Sequence, residues 1–194
     1  VSVRLPADRS RTMFISNHQS YIDIPIIMSS MRIGAFLSKD IVAWFPVIGQ
    51  IAWLAGTIYF DRKDPESRKK ALSDVLDMCE RSTPVHVFPE GTRTTDGNLR
   101  EKLHKGALAA AWERGLRLGT FAFHGTRYAF PQTMDRYYPG QRVAIVVGRT
   151  LEPGDFRDGD SFADAAWEEV KVRFVEAREM REDPGWDRLP GPGG

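Results

Sequence analysis

A chain of 194 residues, 42% apolar and 27% charged, has the size and composition of one folded domain rather than of a disordered segment. Its net charge of +1 gives no reason to expect nucleic acid as a partner. A single cysteine, Cys79, excludes an internal disulfide and Cys-rich zinc centres, and suits a reducing compartment.

In chain order, TMFIS (12–16) reads as a short strand and DIPIIMSSM (23–31) as a helix with Pro25 in its first turn. GAFLSK (34–39) and GTIYFDR (56–62) read as strands. A well-marked helix follows: Asp64 can cap it, Pro65 suits its first position, and Leu72, Val75, Leu76 and Cys79 form its inner stripe. PVHVFPEG (84–91) is a strand running into a turn, and KGALAAAWERG (105–115) a short helix stopped by Gly115. LGTFAF (118–123) and RVAIVVG (142–148) are strands. The last helix is expected to start at Ser161, with Asp164 completing a capping box and Ala163, Trp167, Val170 and Phe174 on its buried face. The acidic excess beyond Asp155 reads as the solvated face of that helix.

The run 41–60, IVAWFPVIGQIAWLAGTIYF, carries no charge and has roughly the length that spans a bilayer. Pro46, Gly49, Gln50, Gly56 and Thr57 interrupt it. A buried core segment, a membrane-contacting surface and a spanning helix all remain open as readings. No signal-peptide pattern follows Val1, as expected of a processed chain or of part of a longer one.

Alternating strands and helices predict an α/β sandwich with a largely parallel central sheet flanked by helices. It would be a single domain over 1–183, with 184–194 a flexible Pro/Gly-rich tail. Ligands of such sheets bind outside the carboxyl ends of the strands. NHQSYID, FDRKD and FPEGTRT all fall there.

His18 and Asp23 fit two readings. Asp23 can return at the start of the next helix, accept from one imidazole nitrogen and leave the other facing outward as a general base. Alternatively it is a capping aspartate beside an incidental loop histidine. No G-x-S-x-G elbow, Walker loop, H-E-x-x-H or dinucleotide fingerprint occurs. The attacking hydroxyl is therefore expected to come from the substrate rather than from Ser20. In FPEGTRT, Gly91 permits a turn whose N–H groups can face an anion, Arg93 adds a forked cation, and Glu90 can orient Arg93 or meet a hydroxyl. Lys39 and Arg62 also follow strands. They are either cations for the same anion or solvated surface charges. His86, inside a strand, reads as structural; His104 and His124 fall in loops, and no spacing suggests a metal.

Together these residues resemble the glycerolipid acyltransferase family, most closely its lysophosphatidate (1-acylglycerol-3-phosphate) acyltransferases. NHQSYID is similar to the family's N-H-x-x-x-x-D block, GTIYFDR to its second block, FPEGTRT to its third, and KGALAAA to the segment after it. FHGTRYAFP resembles the fourth, although Ala122 or Phe123 replaces the proline that usually precedes its Gly–Thr pair. The blocks run in the family's order over roughly 14–131.

The resemblance implies that His18 takes the proton of a lysolipid hydroxyl, which attacks the thioester of acyl-CoA or acyl carrier protein, while Asp23 orients His18. It also implies that Glu90, Gly91, Thr92 and Arg93, with Lys39 and Arg62, form the phosphate and acceptor site. No metal or cofactor is implied. A membrane surface is an expected partner, with the site on the cytoplasmic side, and family members usually carry a membrane-binding segment upstream. Lyso-ornithine lipid is an alternative acceptor, and a catalytically idle lipid-binding domain a rival from another class.

Overall fold

The computed structural model describes residues 8–33, 35–39, 58–60, 63–94, 96–131 and 137–184. Its strands are β1 Thr12–Ile15, β2 Ala35–Lys39, β3 Ile58–Phe60, β4 Val85–Val87, β5 Arg117–His124 and β6 Ala144–Leu151. Its helices are α1 Asp23–Met31, α2 Pro65–Glu80, α3 Gly106–Glu113, α4 Thr126–Ala129 and α5 Gly159–Glu182. The strands form one sheet in the order β3-β2-β4-β1-β5-β6. β1 runs parallel to both β4 and β5, and only β5–β6 is antiparallel among the described pairs. The expected α/β sandwich with its largely parallel sheet is what the chain forms.

Alternation along β1 explains the layers. Met13 and Ile15 point to one face, where Val75 and Leu76 of α2, Leu108 of α3 and Phe162, Trp167 and Val170 of α5 join them. Phe14 points to the other, among Ile27, Met31, Phe36, Phe121 and Phe123. Each such large apolar side chain stabilises the fold by about 1.5–3 kcal/mol through burial. Gly119 sits opposite Phe14 in the β1–β5 register. A Cβ there would lie 2.6 Å from two Phe14 ring carbons, so the ring packs flat only because the side chain is absent.

α2 begins as its sequence requires: the Asp64 carboxylate accepts the Glu66 N–H and Pro65 opens the helix. α5 starts two residues earlier than expected. Asp158 is its cap, accepting the Ser161 N–H at 2.7 Å. Ser161 thereby becomes the third helical residue rather than the cap, and Asp164 pairs with Lys105, at the N-cap of α3, instead of closing a box. The acidic face of α5 is not wholly solvated either. Glu169 is buried, accepts the Arg149 N–H and Nε, and pairs with Arg173. An acid can occupy that depth because its charge is matched on both sides. His124, expected in a loop, is the buried last residue of β5.

The apolar run 41–60 lies outside the described residues as far as 57, and its end forms β3. Among the described residues no helix is long and apolar enough to cross a membrane.

Candidate active site

β1 lies between two parallel neighbours, β4 and β5, and its carboxyl end delivers Asn17 and His18 to the rim. Asn17 is fully buried and behaves like one more rung of the sheet. Its Nδ2 donates to Phe123 O at 2.9 Å, while its Oδ1 accepts the Phe123 N–H at 3.0 Å. The turn after β1 therefore starts from a point fixed on β5.

His18 is held through both its backbone and its ring. Its N–H donates to Glu90 Oε1 at 2.7 Å, and its carbonyl accepts the Thr94 N–H at 3.0 Å. Its ring lies flat on Phe88, centroids 3.8 Å apart and planes 14° from parallel. Nδ1 lies 2.8 Å from Asp23 Oδ2. The same oxygen accepts the N–H groups of Gln19 at 2.7 Å and Ser20 at 2.8 Å. These donors pin a carboxylate that is wholly buried, whereas the His18 side chain keeps 15% of its surface exposed.

The two readings of Asp23 are now separable. It stands in the first turn of α1, yet α1 has no side-chain cap. The carboxylate turns back into the preceding loop and grips the imidazole. Facing an acceptor, Nδ1 carries the proton, which leaves the Nε2 lone pair as the ring's basic site. Ser20 is not a competing nucleophile: its hydroxyl donates to Phe130 O at 2.6 Å. A ring so held can accept a proton from a hydroxyl and return it to a leaving group.

The FPEGTRT turn departs from expectation in detail. Glu90 is buried and splits its two oxygens between backbone groups, Oε1 to the His18 N–H and Oε2 to the Arg100 N–H at 3.2 Å. It does not orient Arg93. Burial pushes its pKa up to about 7, against the pull of those two hydrogen bonds and of the Arg100 charge. Arg93 instead lies over Tyr21, its guanidinium carbon 3.3 Å from the ring centroid. Gly91 has φ +64° and donates its N–H to Phe88 O at 3.0 Å. That N–H closes the turn, so the anion cradle expected from the backbone does not include it. Thr92 is half-buried in the same turn. Lys39 ends β2, whose neighbour β4 runs parallel to it, so its backbone reaches the same rim. Arg62 lies outside the described residues.

The acyltransferase family model matches residues 4–123. The chain belongs to the acyltransferase family. It is 32% identical over 167 residues to a 1-acyl-sn-glycerol-3-phosphate acyltransferase of Chlamydomonas reinhardtii, covering 86% of this chain and 49% of that protein. A lyso-ornithine lipid O-acyltransferase of Pseudomonas aeruginosa is 30% identical over 153 residues, covering 78% of this chain and 57% of that protein. The crystal structure of the 1-acyl-sn-glycerophosphate acyltransferase PlsC from Thermotoga maritima matches with a TM-score of 0.75 at 25% identity, covering 92% of this chain and 69% of that one. The chain spans about half the length of the first curated relatives it matches.

Several groups that position His18 are not evident from the sequence motifs. His86 stands behind Phe88, edge to face at 4.4 Å, with Nε2 3.0 Å from Ser16 Oγ. Complete burial, with the neighbouring His18 adding to it, holds its pKa well below the usual range and keeps it neutral. Asn17 and Phe88 flank the chemical residues in sequence, and that adjacency is the only signal either gives. Among the described residues no group of three or more His, Cys, Asp or Glu is placed to hold a metal ion.

Proposed function

We propose that this chain carries the catalytic domain of an enzyme moving a fatty acyl group from acyl-CoA or acyl carrier protein to the hydroxyl of lysophosphatidate, giving phosphatidate. The observation that carries the reading is the 2.8 Å His18 Nδ1–Asp23 Oδ2 contact, with the carboxylate buried and the ring still reachable. Nε2 of His18 accepts the proton of the lipid hydroxyl as its oxygen attacks the thioester carbon. The buried Asp23 carboxylate balances the imidazolium. Collapse of the tetrahedral intermediate breaks the C–S bond, and the imidazolium returns the proton to the leaving thiolate. Arg93, with Lys39 and Arg62, receives the acceptor's phosphate. Both acceptor and product are lipids, so the enzyme works at a membrane surface, with its site facing the cytoplasm.

Supporting this acceptor are the relatives whose names specify 1-acyl-sn-glycerol-3-phosphate. A second reading, acylation of lyso-ornithine lipid, rests on the Pseudomonas relative. Thiol release from long-chain acyl-CoA and acyl carrier protein, measured with lysophosphatidate, lyso-ornithine lipid or no acceptor, decides between them. The fastest release is expected with lysophosphatidate. Faster release with lyso-ornithine lipid would select the second reading. Absence of release with every pair would leave a lipid-binding domain without catalysis.

A further inference from the structure

β1 has a parallel neighbour on each side, and both continue into turns at the His18 end of the sheet. The turn after β4 holds Gly91 and Arg93. The turn after β5 leads through α4 and, with residues of the first two turns, walls a cleft of about 400 Å³, within the range of small-molecule sites. Gln19, Thr94, Arg127, Tyr128, Tyr138 and Gln141 line it. Gln19 directly follows His18, and the Thr94 N–H holds the His18 carbonyl, so the cleft adjoins the reactive residue through two walls.

Its chemistry is mixed in a particular way. Amide and hydroxyl groups come from Gln19, Gln141 and Thr94, phenol rings from Tyr128 and Tyr138, and a cation from Arg127. Gln19 is buried and donates Nε2 to Gly97 O at 2.8 Å, while its Oε1 has no partner among the described residues. Gly97 has φ +82°, and a Cβ on it would lie 2.3 Å from Arg127 Nη1 and 2.5 Å from Arg127 Cδ. The missing side chain is the lane in which Arg127 lies. One glycine thus fixes both the amide beside His18 and the cation of the cleft.

Arg127 does not act alone. The guanidinium carbons of Arg127 and Arg181 lie 5.2 and 4.2 Å from the Tyr128 ring centroid. Burial, then the charges of Arg181, Arg178 and Arg127, bring the His124 pKa down to about 4, with Glu182 opposing them. Asp96 also faces Arg127. The balance at this end of β5 is positive.

We propose that this cleft receives the phosphopantetheine arm of the acyl donor, the group that CoA and acyl carrier protein share, with Arg127 on its phosphate. The inference rests on the proposed acyl transfer. The amides of the arm meet Gln19 and Gln141, its methyl-bearing carbons pack on Tyr128 and Tyr138, and its thioester ends at His18. Donor and acceptor meet at the β4 turn, where Thr94 in the cleft wall directly follows Arg93. When the acceptor oxygen bonds to the acyl carbon and the C–S bond breaks, the arm leaves as a free thiol carrying the proton that His18 took.

The test compares acyl-CoA, acyl carrier protein and acyl-pantetheine, which lacks the phosphate, in wild type, Arg127→Ala and Gly97→Ala. Thermal melting checks that each variant folds. Arg127→Ala should raise KM for both phosphate-bearing donors about ten-fold or more, the usual worth of a charge-assisted contact. KM for acyl-pantetheine and for lysophosphatidate should stay near wild type. Gly97→Ala, which disturbs the Gln19 amide as well as the guanidinium, should raise KM for acyl-pantetheine too, and for the phosphate-bearing donors more. In Arg127→Ala, an equal rise for all three donors, or a rise for the acceptor alone, overturns the assignment. A loss confined to acyl-CoA makes Arg127 a nucleotide contact, and one confined to acyl carrier protein makes it a protein contact; either overturns the shared-arm site. Equilibrium binding of free CoA reads the cleft without turnover and should weaken by a similar factor in Arg127→Ala. Normal binding in that variant would overturn the proposal, whereas binding that weakens in Arg127→Ala while wild type transfers no acyl group would remove the acyl-transfer reading and leave the cleft.

Discussion

The turn after β1 and the turn after β4 each carry one buried carboxylate, and the two use it differently. Asp23 concentrates three donors on a single oxygen, one of them the His18 ring. Glu90 divides its two oxygens between two backbone N–H groups, one of them that of His18. The first carboxylate sets the ring's proton and orientation, and the second sets where its backbone stands. A catalytic base needs both, because an imidazole with the right tautomer on a shifted backbone no longer meets the reacting atom. The β4 turn reaches the histidine three ways, through Phe88 on its ring and Glu90 and Thr94 on its backbone, and its Arg93 lies over Tyr21.

The largest effect should come from the β1 turn. His18→Ala is expected to lower kcat by roughly two to four orders of magnitude, the usual worth of a general base. Asp23→Asn should also be severe, since the amide lets the ring adopt the wrong tautomer. Steady-state thiol release on variants whose melting matches wild type makes the check. Retention of wild-type turnover by His18→Ala would remove the proposed mechanism.

The β4 turn should give an intermediate and more selective effect. Arg93→Ala is expected to cut kcat/KM with lysophosphatidate by roughly ten- to a hundred-fold, from the loss of about 1.5–3 kcal/mol in a charged hydrogen bond. Donor hydrolysis by water should fall much less, because water presents no phosphate. Arg93→Lys should recover part of the loss, since an ammonium lacks the planar fork. Parallel transfer and hydrolysis assays in one detergent separate the cases. Equal losses in both would assign Arg93 to the donor or to its stacking on Tyr21.

The uneven yield of the sequence has physical reasons. Short apolar runs bounded by turn residues mark β1, β4 and β5, and the Asp64–Pro65 pair marks α2, because these signals act over a few residues. RVAIVVG marks β6 as a strand in the same way, but its antiparallel direction is set by the partner strand and has no local signature. The Asp158 cap was missed because Ser161 with Asp164 mimics a box one turn later. His18 and Asp23 were legible as a pair, but whether Asp23 caps a helix or grips a ring depends on side-chain direction, which spacing does not encode. The motif offers Glu90 either Arg93 or a substrate hydroxyl as its partner, whereas it holds the Arg100 N–H ten residues on and the His18 N–H across the fold. Lys39 contributes only a backbone position among the described residues, and Arg62 lies outside them.

The smallest effect is one of stability and isolates the second carboxylate. Burial raises the Glu90 pKa from its model-peptide value of 4.5 to about 7. The folded chain therefore binds a proton that the unfolded chain has released across that interval. Its contribution is fully present below pH 4.5 and is lost as pH rises through about 7. His86 works in the opposite sense: its depressed pKa removes stability as pH falls below 6.5. The raw profile of wild type mixes the two, whereas its difference from Glu90→Gln isolates the glutamate. The Tm of wild type minus that of Glu90→Gln should fall between pH 4.5 and 7 and flatten above. The amide keeps one acceptor oxygen, so it retains the hold on either His18 or Arg100, and turnover should drop by a smaller factor than in Asp23→Asn. A Tm difference that is constant across the window would mean that Glu90 stays ionised in the fold, with its two backbone hydrogen bonds outweighing the desolvation of the charge.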